Sequence, residues 1–175
     1  MRVFRCFAFV DMCGFTRMND TLGDDEALAV LAEFRAIVRG LSPDHGIRVG
    51  KWLGDGCMFV GTEVRPVVET VLDLTERMEN ASIVLPLRIG IAAGRVIVFE
   101  GDDFIGMSIN LASRLCDAAA PGEILVNDEV TSALGDAFSV ISLGDRPLPG
   151  LVAPLPVWRL ATPEVEDELP LSFAE

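Results

Sequence analysis

Two aspartates stand where apolar strands should end. In FVDMCGFT, residues 9–16, a run of apolar residues (Phe4, Cys6, Phe7, Ala8, Phe9 and Val10) stops at Asp11, and Gly14, Phe15 and Thr16 open what reads as a helix. In KWLGDG, residues 51–56, a second carboxylate, Asp55, lies between two glycines. Each has an ordinary explanation. An Asp ahead of a helix caps it or sits well at its positive end, and Gly-Asp-Gly is a common hairpin turn. Their combination changes the reading. If the first strand pairs with the hairpin, the two carboxylates fall side by side and repel each other unless a cation lies between them. Hard divalent metals choose such oxygen ligands. The backbone N–H groups of the turn at Gly14, Phe15 and Thr16 suit a phosphate.

Other polar groups interrupt apolar patterns. Lys51 breaks the line of Ile47, Val49 and Leu53 that strict alternation puts on one strand face. In GDDFIGMSINLASRL, residues 101–115, Ile105, Ile109, Ala112 and Cys116 form one helical stripe, widened by Leu111 and Leu115. Asn110 and Arg114 are four apart on the opposite face, one above the other. A solvated outer face accounts for those two taken alone. Asp103, seven residues before Asn110, lies just ahead of this helix, and Lys51 requires a partner.

Composition limits what these groups can serve. The chain has 175 residues, half of them apolar, enough for one core and one domain. Mean hydropathy is high at +0.41, yet no stretch of about 18 uncharged apolar residues occurs, so no membrane span is implied. MRVFRCFAFV runs into Asp11 without a small-residue cleavage site and reads as a strand, not a signal peptide. The four cysteines (Cys6, Cys13, Cys57, Cys116) make no CxxC pair, and the only histidine, His45, lies in a PDHG turn. A zinc site is therefore disfavoured, and reduced thiols in a cytoplasmic protein are expected. The net charge of −13 argues against an extended nucleic-acid surface. A small anionic ligand remains open wherever basic groups converge.

The elements that must position these residues alternate along the chain. Strand patterns cover 3–11, 46–53, 57–61, 86–93, 95–100, 123–126, 138–143 and 156–161, and helical ones about 14–21, 25–41, 64–80, 106–119 and 128–134. Ala27, Val30, Leu31, Phe34, Ile37, Val38 and Leu41 make one broad stripe, and Val64, Val67, Val68, Val71, Leu72, Thr75 and Met78 make another. Strand, two helices, hairpin, helix, strand predicts an α+β sandwich of the ferredoxin-like or palm-like kind, a mostly antiparallel sheet covered by helices. Residues 1–161 form the expected domain. Residues 162–175, TPEVEDELPLSFAE, are acidic, contain proline and lack a pattern, and are expected to be a flexible tail.

Four blocks in order, FVDMCGFT, KWLGD, LRIGIAAG and DDFIGMSINLASRL, resemble the class III nucleotidyl cyclases, which make cyclic AMP or cyclic GMP. The similarity runs over about residues 4–161 and implies that family's fold for the domain. Asp11 and Asp55 match its two metal-binding aspartates, with the Met12 carbonyl as an additional ligand, and two divalent ions, Mg²⁺ or Mn²⁺, are implied. Lys51 and Asp103 match the pair that reads the adenine edge. Asn110 and Arg114 match the residues that hold the ribose and the developing charge at the α-phosphate, and Arg88 matches an arginine near the terminal phosphates. Gly14, Phe15 and Thr16 fall in the phosphate-facing turn. Where many relatives carry K-G in a late hairpin as a basic phosphate ligand, this chain has Pro149-Gly150, with Arg146 nearby as the substitute. Ala92 replaces a frequent His that has no assigned chemistry.

The resemblance implies an adenylate cyclase of the stand-alone bacterial type, acting on ATP as a head-to-tail homodimer with two composite sites. Each site takes Asp11 and Asp55 from one chain and Lys51, Asp103, Asn110 and Arg114 from the other. Base choice follows from hydrogen bonding: Asp103 accepts from adenine N6 and Lys51 donates to N1, whereas guanine mismatches both. The alternatives are a guanylate cyclase, a silent cyclase-like module that binds nucleotide or dimerises, and a diguanylate cyclase. The GG[DE]EF loop of the last family is absent, and KWLGDG stands at the turn instead.

Overall fold

The computed structural model describes residues 2–101 and 103–161, so the tail expected over 162–175 lies outside the described residues. In chain order the elements are β1 (Arg2–Met12), α1 (Phe15–Leu22), α2 (Asp24–Asp44), β2 (Arg48–Leu53), β3 (Gly56–Gly61), α3 (Val64–Glu79), β4 (Leu87–Phe99), β5 (Asp103–Ile105), α4 (Met107–Ala118), β6 (Ile124–Val126), α5 (Asp128–Leu134), a 3-10 turn (Gly135–Ala137), β7 (Val140–Arg146) and β8 (Leu155–Leu160). The strands form one sheet in the order β2-β3-β1-β4-β6-β8-β7, with β5 paired to β4. Only the β4–β6 pairing is parallel among the described strands. This is the expected mostly antiparallel α+β sandwich.

Period-two alternation in β1 feeds two cores. Cys6, Ala8, Val10 and Met12 join the larger core, to which α1, α2, α3 and α5 contribute Met18, Phe34, Val71 and Val130. Phe7 points the other way into a smaller core with Met58, Ala92, Leu111 and Leu115. Helix α4 alone therefore covers the second face among the described helices. It lies close on β4 because Gly90 has no side chain: a Cβ there would fall 2.2 Å from both the Ala112 carbonyl oxygen and the Cys116 nitrogen. That contact buries Leu111, Ala112, Leu115 and Cys116 and turns Asn110 and Arg114 to solvent.

Helix α2 follows its expected stripe. Ala27, Val30, Phe34, Val38 and Leu41 are buried, with Leu31 and Ile37 packed at the margin. In α3 the core also takes Leu74, which the sequence pattern omits, with Leu72 packed at its margin. Thr75 satisfies its hydroxyl by donating to the Val71 carbonyl.

Three local differences matter for the site. The separate strands expected over 86–93 and 95–100 are one continuous strand, β4. Ile105, expected in the α4 stripe, belongs to β5 and is exposed. Strict alternation in β2 fails at a bulge between Val49 and Lys51. Val49 and Trp52 both pack on the larger core, so Lys51, next to Trp52, faces the opposite side from Val49. Gly50 fits the bulge because a Cβ would meet Met58 Cε at 2.5 Å and Val60 Cγ2 at 2.7 Å.

Strand β5 folds onto the second face. Phe104 meets Phe7 edge to face, with ring centroids 5.3 Å apart. No described helix is long and apolar enough to cross a membrane.

Candidate active site

The β1–β3 pairing sets Asp11 opposite Gly56, one residue from Asp55, while β1–β4 sets Asp11 opposite Arg88. The juxtaposition of carboxylates anticipated from the sequence is thus present at one end of three adjacent strands. Asp11, Asp55 and Arg88 line a cleft of about 470 Å³ together with Gly14, Phe15 and Thr16, the residues that open α1. Met12 also lines it but buries its side chain in the core, so only its main chain can serve the cleft. Gly14, at φ +82, turns the chain from β1 into α1.

Arg88 is the cation already in this cleft. Its Nε donates to Asp11 Oδ2 at 2.8 Å, and Nη2 lies 2.8 Å from the same oxygen. Hydrogen bonding to Asp11 raises the proton affinity of Arg88 above its ordinary value. Burial, and then the charge of Asp11, raise the pKa of Asp55. An all-oxygen donor pair with excess negative charge fits a hard divalent cation that keeps positions for water and phosphate. Among the described residues no group of three His, Cys, Asp or Glu side chains is arranged to hold a metal, so ligands beyond the two carboxylates must come from main chain, solvent or substrate.

The thiols offer no nucleophile. Burial raises Cys13, which lines the cleft, despite the opposing effect of Arg88. It pushes Cys57 and Cys116 up to about 12. His45 does not line the cleft and pairs through Nε2 with Asp73 Oδ2 at 2.8 Å.

The remaining candidates gather in two places outside this cleft. Lys51 Nζ lies 2.7 Å from Asp103 Oδ1, both side chains about half exposed. The bulge in β2 and the fold-over of β5 bring them together, which supplies the partner that Lys51 required. Asn110 and Arg114 stand exposed on α4, and neither lines the Asp11–Asp55 cleft of its own chain.

Two features escaped the sequence reading. Asp117 accepts from Arg114 Nη1 at 3.3 Å through its carboxylate and from Arg88 Nη1 at 3.4 Å through its carbonyl. Its three-residue spacing from Arg114 on one helix was the available signal. The second is the pairing of Arg88 with Asp11, which only the β1–β4 register reveals. The late hairpin also takes definite form. A Cβ at Gly150 would lie 3.6 Å from Arg114 Nε, so the Pro149-Gly150 turn rests against that guanidinium. Arg146, the expected substitute for a basic ligand there, donates Nε to the Leu143 carbonyl.

Comparison with known proteins shows the family and the fold. The family model described as the adenylate and guanylate cyclase catalytic domain matches residues 5–159. The chain is 32% identical over 158 residues to the pH-sensitive adenylate cyclase of Mycobacterium tuberculosis (strain CDC 1551 / Oshkosh), covering 87% of this chain and 39% of that protein. It is 34% identical over 119 residues to an adenylate cyclase of Streptomyces coelicolor, covering 68% of this chain and 31% of that protein. It thus spans well under half the length of these curated relatives. Its fold matches the adenylyl cyclase CyaB from P. aeruginosa with a TM-score of 0.84 at 22% identity, covering 93% of this chain and 95% of that one. The guanylate cyclase domain of RhGC from Catenaria anguillulae, solved with GTP, also gives 0.84, at 18% identity and with 93% and 98% covered. Backbone shape alone therefore does not select the base.

Proposed function

The chain belongs to the adenylate and guanylate cyclase catalytic domain family, and from that premise we propose that it converts ATP to 3′,5′-cyclic AMP and pyrophosphate. The ribose 3′-hydroxyl attacks the α-phosphorus in line. A new oxygen–phosphorus bond forms as the bond to the bridging oxygen of pyrophosphate breaks. Asp11 and Asp55, with the Met12 carbonyl, would hold two divalent ions, Mg²⁺ or Mn²⁺, which when bound lower the pKa of the attacking hydroxyl and neutralise the leaving phosphates.

Side chains and main chain do the rest. The N–H groups at Gly14, Phe15 and Thr16 cradle phosphate oxygens, and Arg88 exchanges Asp11 for the terminal phosphates. Asn110 orients the ribose. Arg114 is a fixed cation at the charged transition state, an electrostatic contribution worth roughly 10²–10³ in rate. No histidine or thiol base is needed, in keeping with a protonated Cys13 and a His45 engaged elsewhere.

The choice of ATP rests on the Lys51–Asp103 contact at 2.7 Å. A carboxylate and an ammonium held together present the acceptor and donor that adenine N6 and N1 require. Guanine, with an O6 acceptor and an N1 donor, mismatches both. The silent-module reading has less support, because all six residues of the metal, base and transition-state sets are present.

The absence of Asn110 and Arg114 from the cleft of their own chain supports a head-to-tail homodimer. In it a second copy supplies Lys51, Asp103, Asn110 and Arg114 to each Asp11–Asp55 pair, and the two composite sites are equivalent. The decisive experiment incubates purified protein with ATP or GTP and Mg²⁺ or Mn²⁺ and identifies the product by mass. Cyclic AMP from ATP supports the reading, cyclic GMP from GTP replaces it with the guanylate activity, and no turnover favours the silent module.

A further inference from the structure

We propose that Arg35, on α2, is a positioning residue that fixes the turn carrying Asp55; the inference rests on the reading of Asp55 as a metal ligand. Arg35 Nη2 donates to the Gly54 carbonyl at 3.3 Å. Its guanidinium carbon lies 5.0 Å from the centroid of the Trp52 ring, and that of Arg39, one helical turn on, lies 5.3 Å from the same ring. Trp52 stands on β2 three residues before Asp55, so one helix grips both the strand that enters the turn and the turn itself.

The grip is specific in direction. The Gly54 carbonyl and the Asp55 N–H belong to one rigid peptide plane, so holding the carbonyl sets the direction in which the chain enters Asp55. Stacking on Trp52 orients the planar guanidinium, a constraint that the point charge of a lysine does not impose. Arg35 Nε is fully shielded and has no partner among the described residues, so stacking and one directed hydrogen bond account for the placement of this side chain. The turn needs such restraint. Gly54 lies at φ +69, a region open to glycine, so the peptide that enters Asp55 has local freedom even though the Leu53–Gly56 pairing holds both ends of the turn.

Outer residues that orient metal ligands commonly change metal affinity by tenfold or more. The test measures Mn²⁺ binding to the nucleotide-free full chain by the paramagnetic resonance signal of free Mn²⁺, alongside thermal melting. Arg35→Leu should weaken Mn²⁺ binding by about tenfold. Arg35→Gln should do nearly the same, and Arg35→Lys should recover only part of the loss. Trp52→Leu should follow Arg35→Leu, and Trp52→Phe should stay near wild type. A lower melting temperature with Mn²⁺ affinity unchanged in Arg35→Leu would make Arg35 a fastener of α2 only and overturn the proposal. If Arg35→Leu fails to fold, Arg35→Gln decides by the same criterion. Asp55→Ala runs as the reference. Loss of binding there with none in the Arg35 variants defeats this inference and leaves the metal reading standing, whereas unchanged binding in Asp55→Ala defeats both.

Discussion

Arg88 sets two nitrogens, Nε and Nη2, each 2.8 Å from one oxygen of Asp11. The chain thus pairs the carboxylate proposed to hold metal with the arginine proposed to meet the triphosphate. On the proposed reading, metal and nucleotide each displace half of this pair, so each should ease the binding of the other. Replacing Arg88 with Gln removes the competing cation from Asp11 and a charged donor from the phosphates. Mn²⁺ alone should then bind several-fold more tightly, while the KM for ATP rises by about tenfold, the scale of a lost hydrogen bond to a charged group. Titration of Mn²⁺ without nucleotide and steady-state kinetics with it would check the two arms. A variant in which neither constant moves would exclude the exchange.

Asp11→Ala and Asp55→Ala should each abolish turnover without unfolding the chain, because neither side chain belongs to either apolar core. Circular dichroism verifies the fold and product mass the loss. Retained activity in a folded single variant would remove the metal assignment.

The metal-free stability should also report on Asp55. Burial and the charge of Asp11 raise its pKa, so the folded chain holds this proton to higher pH than the unfolded chain does. The folded state binds more protons between the ordinary aspartate pKa and the raised value, and stability therefore falls as pH climbs through that window. Above the window the charged carboxylate is a standing penalty. Asp55→Asn should accordingly melt higher than the wild type at neutral pH without metal, and the difference should shrink under acidic conditions. An equal or lower melting temperature at neutral pH would contradict the unfavourable burial of that charge.

Much of this was legible in residue patterns, and what was not has physical causes. The α2 stripe and the burial of β1 follow from periodicity, which local sequence encodes directly. Strand β5 was hidden because Asp103, Phe104 and Ile105 abut the helical pattern of α4, and three residues carry too little period to separate from it. The bulge in β2 was hidden because alternation counts residues, whereas the backbone can insert one where Gly50 permits close approach to Met58. That missed bulge is what turns Lys51 away from the face of Val49. The Lys51–Asp103 pair therefore emerged from matched motifs, not from strand arithmetic. The Asp11–Arg88 contact depends on strand register across distant segments, which no local pattern reports.

Lys51→Glu combined with Asp103→Cys should weaken ATP use and raise GTP use. The introduced carboxylate can accept from guanine N1, and the thiol no longer repels O6 as the Asp103 carboxylate does. The ratio of kcat/KM for the two nucleotides is the measurement. Conversion should be incomplete, since the shape of the pocket around the purine also contributes to selection. A double variant that keeps its original ATP preference would show that these residues do not read the base.

Complementation tests the assembly. Asp11→Ala damages the metal half of both composite sites, and Asn110→Ala damages the other half of both, so each variant alone should be nearly inactive. In a mixed dimer both lesions fall in the same site, and the second site is wild type throughout. With random exchange about half the dimers are mixed and each retains one intact site, so roughly a quarter of wild-type activity should return. The expectation is sharp because both variants start near zero. Subunit exchange can be followed independently by labelling the two variants with different fluorophores and measuring energy transfer. If exchange is complete and activity stays at the level of the single variants, the two halves do not meet across chains. A site closed within one chain, with Arg114 drawn by substrate away from Asp117 toward Asp11, would then replace the composite one.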